Sequence, residues 1–497
     1  MHIRETYKAF AALLTVAAAA LLASFLAGLG HSHSVDYNVV WTSQFGREMA
    51  RGNLYPRWLP HSFEGLGSPA FFFYPPLTFW VAGFFDALGL STLLAINATA
   101  LLVLLASGVT MYIWLRDRSQ WPVLGAVAYM IAPYHLMDFY VRGALAEFAA
   151  FAWLPLIALA IERISDKRGL LLLAVSYCGL ILTHLPTAML TGIFLIAPLA
   201  VWKLWHDRRA FVPLAAAGLF AFGLSAFFLL PALTLQDEIS SSLLWTTYFS
   251  PSTWTFFASG DRLLDPAVYF LSLGLIVLTW SAGSIWTGIT VAAALAAMGL
   301  IPFVWEIEPF IRAQFPWRVL AIAEFAAVTA IATGTKLPRG AVVAMALISC
   351  SYLLWGVTAV RNLSEHLEYD RWVSQYPDAA EYLPRGFDLS LLRNGLKRTP
   401  DLRQWAQLPR GETISVSEPG TVTFRRAAFP IWKVVDQTGK EIEHQGPVIH
   451  FQAQPGTYSL RRVKLWQETI GALITLLTAV ALSVVLAVRK RPLAPQS

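Results

Sequence analysis

FFFYPPLTFWVAGFFDALGL, residues 71–90, is apolar enough to be read as a crossing of the bilayer, and whether it crosses decides the topology of everything that follows. Runs of about twenty apolar residues recur along the chain, the length that roughly 30 Å of hydrocarbon requires. Between them stand clusters of basic residues: Arg4 and Lys8; Arg116 and Arg118; Arg163, Lys167 and Arg168; Lys203, Arg208 and Arg209; Lys336 and Arg339; and Arg489 to Arg491. Basic residues of membrane proteins gather on the cytoplasmic side. All six clusters share that side only if an even number of spans separates each pair. Counting 71–90 as a span would put Arg116 and Arg118 outside and reverse every later loop. Pro75-Pro76 and Asp86 also argue against a continuous membrane helix. The segment is therefore read as a re-entrant or interfacial element on the outer face.

With that choice, spans are expected at about 9–29, 92–115, 121–135, 147–164, 170–186, 187–203, 211–230, 267–281, 285–301, 317–334, 340–358 and 466–488. The fold class is then a mainly α polytopic membrane protein of about twelve transmembrane helices, both termini cytoplasmic, with a small C-terminal β-rich extracytoplasmic domain. The amino terminus, MHIRETYKAF before its apolar run, resembles a signal peptide, but the run is long enough to be an uncleaved anchor. Three regions follow: a transmembrane domain over 1–358 with the outer loop 31–91, an extracytoplasmic domain over 359–465, and a closing helix with a basic tail over 466–497. Within 359–465, EHLEYDRWVSQYPDAAEYL reads as helical. TISVS, TVTFRR, IWKVVDQTGKEI, PVIHF and GTYSLRR read as short strands separated by turns.

Composition agrees with this class: 56% of the 497 residues are hydrophobic and 14% charged, and the mean hydropathy is +0.54. Such a chain is not an ordinary soluble globular protein. The formal charge of +6 follows the positive-inside pattern, so nucleic acid is not an expected partner. Cys178 and Cys350 both fall in apolar spans and imply no disulfide framework.

Ionisable residues near spans need partners or a purpose, since a charge at mid-bilayer costs about 2.5 to 3.5 kcal/mol. Asp36 lies just past the first span, in HSHSVDYNVVWTSQFGREMARG. Arg142 and Glu147 lie in PYHLMDFYVRGALAEFAAFAWLP, His184 in ILTHLPTA, and Arg318 with Glu324 in IRAQFPWRVLAIAEF. The parity argument puts Asp36, Arg142, Glu147, His184 and Arg318 at the outer face, although far apart in sequence. One polar site at the outer leaflet would explain them together. Each also has a structural reading. Asp36 would cap a helix, Arg142 and Glu147 would form an ion pair, His184 would complete a turn, Arg318 would snorkel, and Glu324 would take a structural partner. His31, His33 and Asp36 have a spacing that two imidazoles can use on one metal ion, but no second cluster completes the shell.

On these residues the chain resembles the GT-C superfamily of membrane glycosyltransferases, whose members carry an acidic residue on the first outer loop, here matched by Asp36. More narrowly, VDYNVVW, YPPL, YVRGALAEFAAFAWLPL, THLPTA, LPAL and FPWR, in that order, are similar to a bacterial subgroup. It includes YfhO-like proteins and proteins labelled 6-pyruvoyl-tetrahydropterin synthase-related. Many members show an adjacent acidic pair; here Tyr37 follows Asp36. The resemblance implies sugar transfer from a polyprenyl-phosphate donor to an extracytoplasmic glycan, lipid or protein at the bacterial cytoplasmic membrane. Asp36 is the expected general base and the transfer inverting. Arg142 or Arg318 would hold the departing phosphate, Glu147 would orient Arg142, and His184 would donate to phosphate or sugar. No cofactor is fixed; a divalent cation, Mg or Mn, is the one candidate. The competing class is a twelve-span transporter or lipid flippase. Against it stand the outer domain, the long first loop and the lack of a central cytoplasmic loop.

Overall fold

The computed structural model describes residues 2–29, 32–246, 249–256, 266–334, 340, 343, 345–351, 353–354, 378–388 and 411–487. Among the described residues, six helical runs are long and apolar enough to cross a membrane: Arg4–Leu26, Thr92–Leu115, Leu145–Glu162, Leu185–His206, Pro316–Thr333 and Trp466–Ala487. Arg208–Leu224 with Ala226–Thr234, bent by 71°, makes a seventh if it is one span. Their length and composition are those of an integral membrane protein. Within the expected span 340–358, residues 341, 342, 344, 352 and 355–358 lie outside the described residues. So do His31, residues 365–377, and the clusters Lys336 with Arg339 and Arg489 to Arg491.

In chain order the helices are α1 (His2–Ala27), α2 (Val35–Ala50), α3 (Ala70–Phe73), α4 (Leu77–Ala87), α5 (Thr92–Leu115), α6 (Pro122–Met130), α7 (Pro133–Tyr140), α8 (Leu145–Ala150), α9 (Leu154–Glu162), α10 (Lys167–Thr183), α11 (Leu185–Thr191), α12 (Ala197–His206), α13 (Phe211–Leu224), α14 (Ala226–Thr234), α15 (Pro266–Thr279), α16 (Ile285–Ala297), α17 (Leu320–Thr333) and α18 (Trp466–Ala487). Several expected spans are shorter than their apolar runs, and proline explains one of them. The 121–135 run stops at Met130 and restarts at Pro133 as α7, because proline suits a first turn but not a helix interior. Residues 71–90 break at Pro75-Pro76 into α3 and α4. At about 1.5 Å per residue, the 11 residues of α4 fall well short of a crossing.

Contacts at one end of the bundle join sequence-distant basic loops. Arg118, after α5, makes a two-nitrogen contact to Glu162 at the end of α9, with its Nε 3.1 Å from Oε2. Lys203 donates to the Glu162 carbonyl at 3.1 Å, and Lys167 to the Val485 carbonyl near the end of α18 at 2.6 Å. The clusters at 116–118, 163–168 and 203–209 therefore lie together. At the other end of α18 stands the β-rich region.

That region has strands β1 (Thr413–Val416), β2 (Gly420–Ala427), β3 (Trp432–Asp436), β4 (Glu441–Ile442), β5 (Val448–Ala453) and β6 (Gly456–Arg462). They form an antiparallel sheet ordered β1-β6-β3-β4 and a β2-β5 pair. Its core is not separate from the segment between α1 and α5. Phe424, Ile431, Val434 and Ile449 belong to one apolar cluster with Val40, Trp41, Phe45, Phe71, Phe72 and Phe79. Trp58 packs on Trp432 at 5.5 Å, and the Ala427 amide donates to the Leu66 carbonyl at 2.8 Å. The segment between α1 and α5 and the β-rich region thus share one core at this end of the bundle. DAAEYL, residues 378–383, differs from the helix expected there: only Ala380–Tyr382 turn, as a short 3-10 helix. Ala379, Ala380, Tyr382 and Leu383 are all buried, and the Ser240 amide bonds the Leu383 carbonyl at 2.8 Å. Burial on more than one side and a strand-like bridge leave no place for an amphipathic helix.

Candidate functional site

The polar cluster begins with the turn between α7 and α8. Arg142 ends the α7 segment and Gly143 follows with φ +60°, a left-handed conformation that favours glycine. A Cβ there would also sit 2.4 Å from Ser32 Oγ and 3.2 Å from the Val35 amide. Glycine therefore lets the start of α2 lie directly on this turn. The His33 and Ser34 amides donate to the carbonyls of Val141 and Arg142 at 3.2 and 3.0 Å, and Asn38 Nδ2 donates to the Gly143 carbonyl at 2.7 Å. Asp36, in the first turn of α2, is completely buried. Ser34, not Asp36, is the N-cap residue, so Asp36 meets the helix dipole from inside the first turn.

On the other side of the turn, Arg142, Glu147 and Arg318 meet. Arg142 Nη1 lies 2.8 Å from Glu147 Oε2, donates to Tyr134 Oη at 2.8 Å and makes a very short contact with Asp138. Tyr134 Oη donates to Glu147 Oε1 at 2.6 Å. Arg318 Nε stands 3.3 Å from Glu147 Oε2, an ion pair; its Nη1 donates to the Ala313 carbonyl at 2.9 Å and to Gln314 at 3.1 Å. Glu147 is thus a carboxylate shared by two arginines, with its side chain completely covered. Arg318 is buried rather than snorkelling. With Asp138 included, two carboxylates face two guanidinium groups, and the low-dielectric site is formally neutral, as burial requires.

His184 joins α10 to α11 in extended backbone. Its Nδ1 is 2.8 Å from Thr187 Oγ1, so the ring is satisfied by a hydroxyl, and it interacts electrostatically with Glu147, Arg318 and Arg142. Glu324 stands apart from this group. It accepts from the Tyr134 and His135 amides at 2.6 and 3.2 Å and so completes the N-terminus of α7.

Several residues at this end carry polar roles that the sequence reading did not single out. Asp138 stands four residues before Arg142, a helical spacing that pairs opposite charges and was legible. Tyr134 and Tyr74 had no such signal; Tyr74, beside the Pro75-Pro76 break, interacts electrostatically with Arg318, Glu147 and Arg142. Asp378 also had none. Its Oδ1 accepts from Trp41 Nε1 at 2.9 Å and from the Ala379 amide at 2.7 Å. This ties the 378–388 segment to α2 one turn beyond Asp36. Burial pushes the Asp378 carboxyl up to about 6.

The hollow beside the start of α2, lined by Ser32, Val35, Asn38 and Gly143 among others, holds about 10 Å³, room for no more than one water. No three His, Cys, Asp or Glu among the described residues are grouped to hold a metal ion. The cluster carboxylates are engaged by arginines, a donor set that suits guanidinium rather than Mg or Mn. No protein-family model matches the chain and no curated protein matches it in sequence.

Proposed function

We propose that the chain is an integral membrane glycosyltransferase that moves a sugar from a polyprenyl-phosphate donor to a glycan, lipid or protein outside the bacterial cytoplasmic membrane. It would have about twelve spans, with both termini cytoplasmic. One observation carries the reading: Arg142, Glu147, Arg318 and Tyr134 are buried together on a turn whose carbonyls hold the helix start bearing Asp36. The joined basic loops at the opposite end support the assignment of sides.

In the proposed reaction the acceptor hydroxyl oxygen forms a bond to the anomeric carbon as its proton passes to Asp36. The bond from that carbon to the phosphate oxygen breaks, and the phosphate leaves with the electron pair. Attack from the face opposite the leaving group inverts the anomeric centre. Arg318 is the better phosphate ligand. It has one carboxylate partner, and its Nη2 makes no hydrogen bond to a described residue, whereas Arg142 is held by both Asp138 and Glu147. Arg142 then positions Glu147, and Glu147 positions Arg318. His184, which interacts electrostatically with Glu147, Arg318 and Arg142, would add a donor. The 10 Å³ hollow admits no sugar, so entry requires the 141–144 turn or the 378–388 segment to move off α2.

The test incubates purified protein with a panel of polyprenyl-phosphate monosaccharides and envelope extract and detects product by mass. Asp36→Asn should abolish transfer while leaving membrane insertion intact. Full turnover in that variant would refute the base assignment.

A further inference from the structure

A cavity of about 790 Å³ opens where the bundle meets the β-rich region, and none of Asp36, Arg142, Glu147, His184 or Arg318 lines it. One side is apolar, made by Phe227 of α14 and by Ala472, Leu476 and Ala479 of α18; the other carries Arg57, Arg462, Lys464 and Glu468. Arg462 and Lys464 are exposed. Arg57 is not: it is only 6% exposed. Its Nη2 donates to the Phe227 carbonyl at 2.7 Å, its Nε lies 3.3 Å from Glu468 Oε1, and its guanidinium sits 4.2 Å over the Tyr55 ring. Its Nη1 is buried and has no hydrogen-bond partner among the described residues. A buried charged donor left unpaired costs about 1 to 3 kcal/mol or more, so an acceptor that fills this place is strongly favoured.

We infer that this groove binds an anionic glycerophospholipid, with its phosphodiester on Arg57 Nη1, Arg462 and Lys464 and a chain along Ala472, Leu476 and Ala479. Three cations against one carboxylate leave the rim two charges positive, which selects an anionic over a zwitterionic headgroup. The groove runs along α18, whose apolar window has only 11% of its residues buried in the protein, so the rest of that helix is left to face the bilayer. Trp466, 61% exposed at the start of that helix, marks the headgroup level. Abundant lipids of the leaflet therefore reach the site laterally, without passing through water. The site is independent of the proposed transferase chemistry.

The experiment uses the full chain in nanodiscs of phosphatidylcholine doped with phosphatidylglycerol or with polyprenyl phosphate, and counts retained lipids by native mass spectrometry. Inorganic phosphate is added as a soluble competitor. Wild-type protein should retain phosphatidylglycerol in preference to phosphatidylcholine, and phosphate should not displace it. Arg462→Ser with Lys464→Ser should weaken retention at least about tenfold. Ala472→Phe, a substitution at an exposed position that fills the groove, should do the same with an unchanged melting temperature. Arg57→Gln is a poorer variant because Arg57 also bonds the Phe227 carbonyl. Equal retention of the two phospholipids, unchanged retention in both variants, or preferential retention of polyprenyl phosphate or inorganic phosphate would each overturn the inference.

Discussion

At the residue scale, Glu147 is the pivot of the buried cluster. Removing its charge leaves Arg142 and Arg318 facing each other with Asp138 as the sole remaining carboxylate. Glu147→Gln should therefore destabilise the protein by about 3 to 5 kcal/mol, the range for breaking one side of a buried pair. Adding Arg318→Gln should restore part of the loss. Thermal unfolding in detergent checks both, and an unshifted melting temperature in the single variant would show that the ion pairs carry no stability. Asp378 gives a pH prediction. Burial raises its carboxyl to about 6 against the hydrogen bonds that favour the charged form. Burial likewise raises Glu381 to about 7, with the Asp378 charge adding to the effect. The docked segment binds protons that its undocked form has already released, so docking is firmest below the ordinary carboxylate range and is lost as pH rises through 6 to 7. Hydrogen exchange, corrected for intrinsic rates, should show protection of the Tyr382 and Leu383 amides falling between about pH 5 and about pH 8. Asp378→Asn should flatten that fall; the same slope in the variant would remove Asp378 as its cause.

At the element scale, the bend between α13 and α14 is held by α18. The break frees backbone groups that lipid cannot satisfy. Thr475 meets them: its Oγ1 accepts from the Phe227 amide at 3.0 Å and donates to the Gly223 carbonyl at 3.2 Å. The helices approach closely because Gly471 has no side chain. A Cβ there would lie 2.6 Å from the Ala226 carbonyl and 3.1 Å from Phe227 Cα, both backbone atoms that cannot swing aside. Small residues at such crossings are how membrane helices pack without a hydrophobic drive. Gly471→Leu should separate α18 from α14 and lower stability by at least about 1 to 3 kcal/mol, the usual range for overpacking. The melting temperature in micelles measures it. A wild-type value would mean that the two helices are not held at this distance in the membrane.

At the scale of the whole molecule, two ends are chemically distinct: basic loops bonded to one another at one end, and the outer loop with the β-rich region at the other. In a variant lacking Cys178 and Cys350, Thr438→Cys should react in intact cells with a membrane-impermeant maleimide, and Ser119→Cys only after the membrane is opened. The reverse pattern would invert the proposed orientation and place the cluster on the cytoplasmic side.

Hydropathy, charge clusters and proline pairs are local quantities, so the sequence alone determined that this is a helical membrane protein, that 71–90 breaks at Pro75-Pro76, and that the strands lie late in the chain. The positions of Arg142, Glu147, His184 and Arg318 were legible for the same reason: a charge beside lipid is anomalous wherever it occurs. The pairing of Arg142 with Glu147 and, at helical spacing, with Asp138 was legible too; that Glu147 also meets Arg318 was not, because packing joins those two across about a third of the chain. The roles of Tyr134 and Tyr74, the capping of α7 by Glu324, and the capture of Asp378 by Trp41 arise in the same way. The shared core of the outer loop and the β-rich region was equally hidden, since burial between distant segments leaves no periodic mark in either. Tertiary structure alone decided these contacts, because the energy of a buried polar group depends on the partners that folding brings to it.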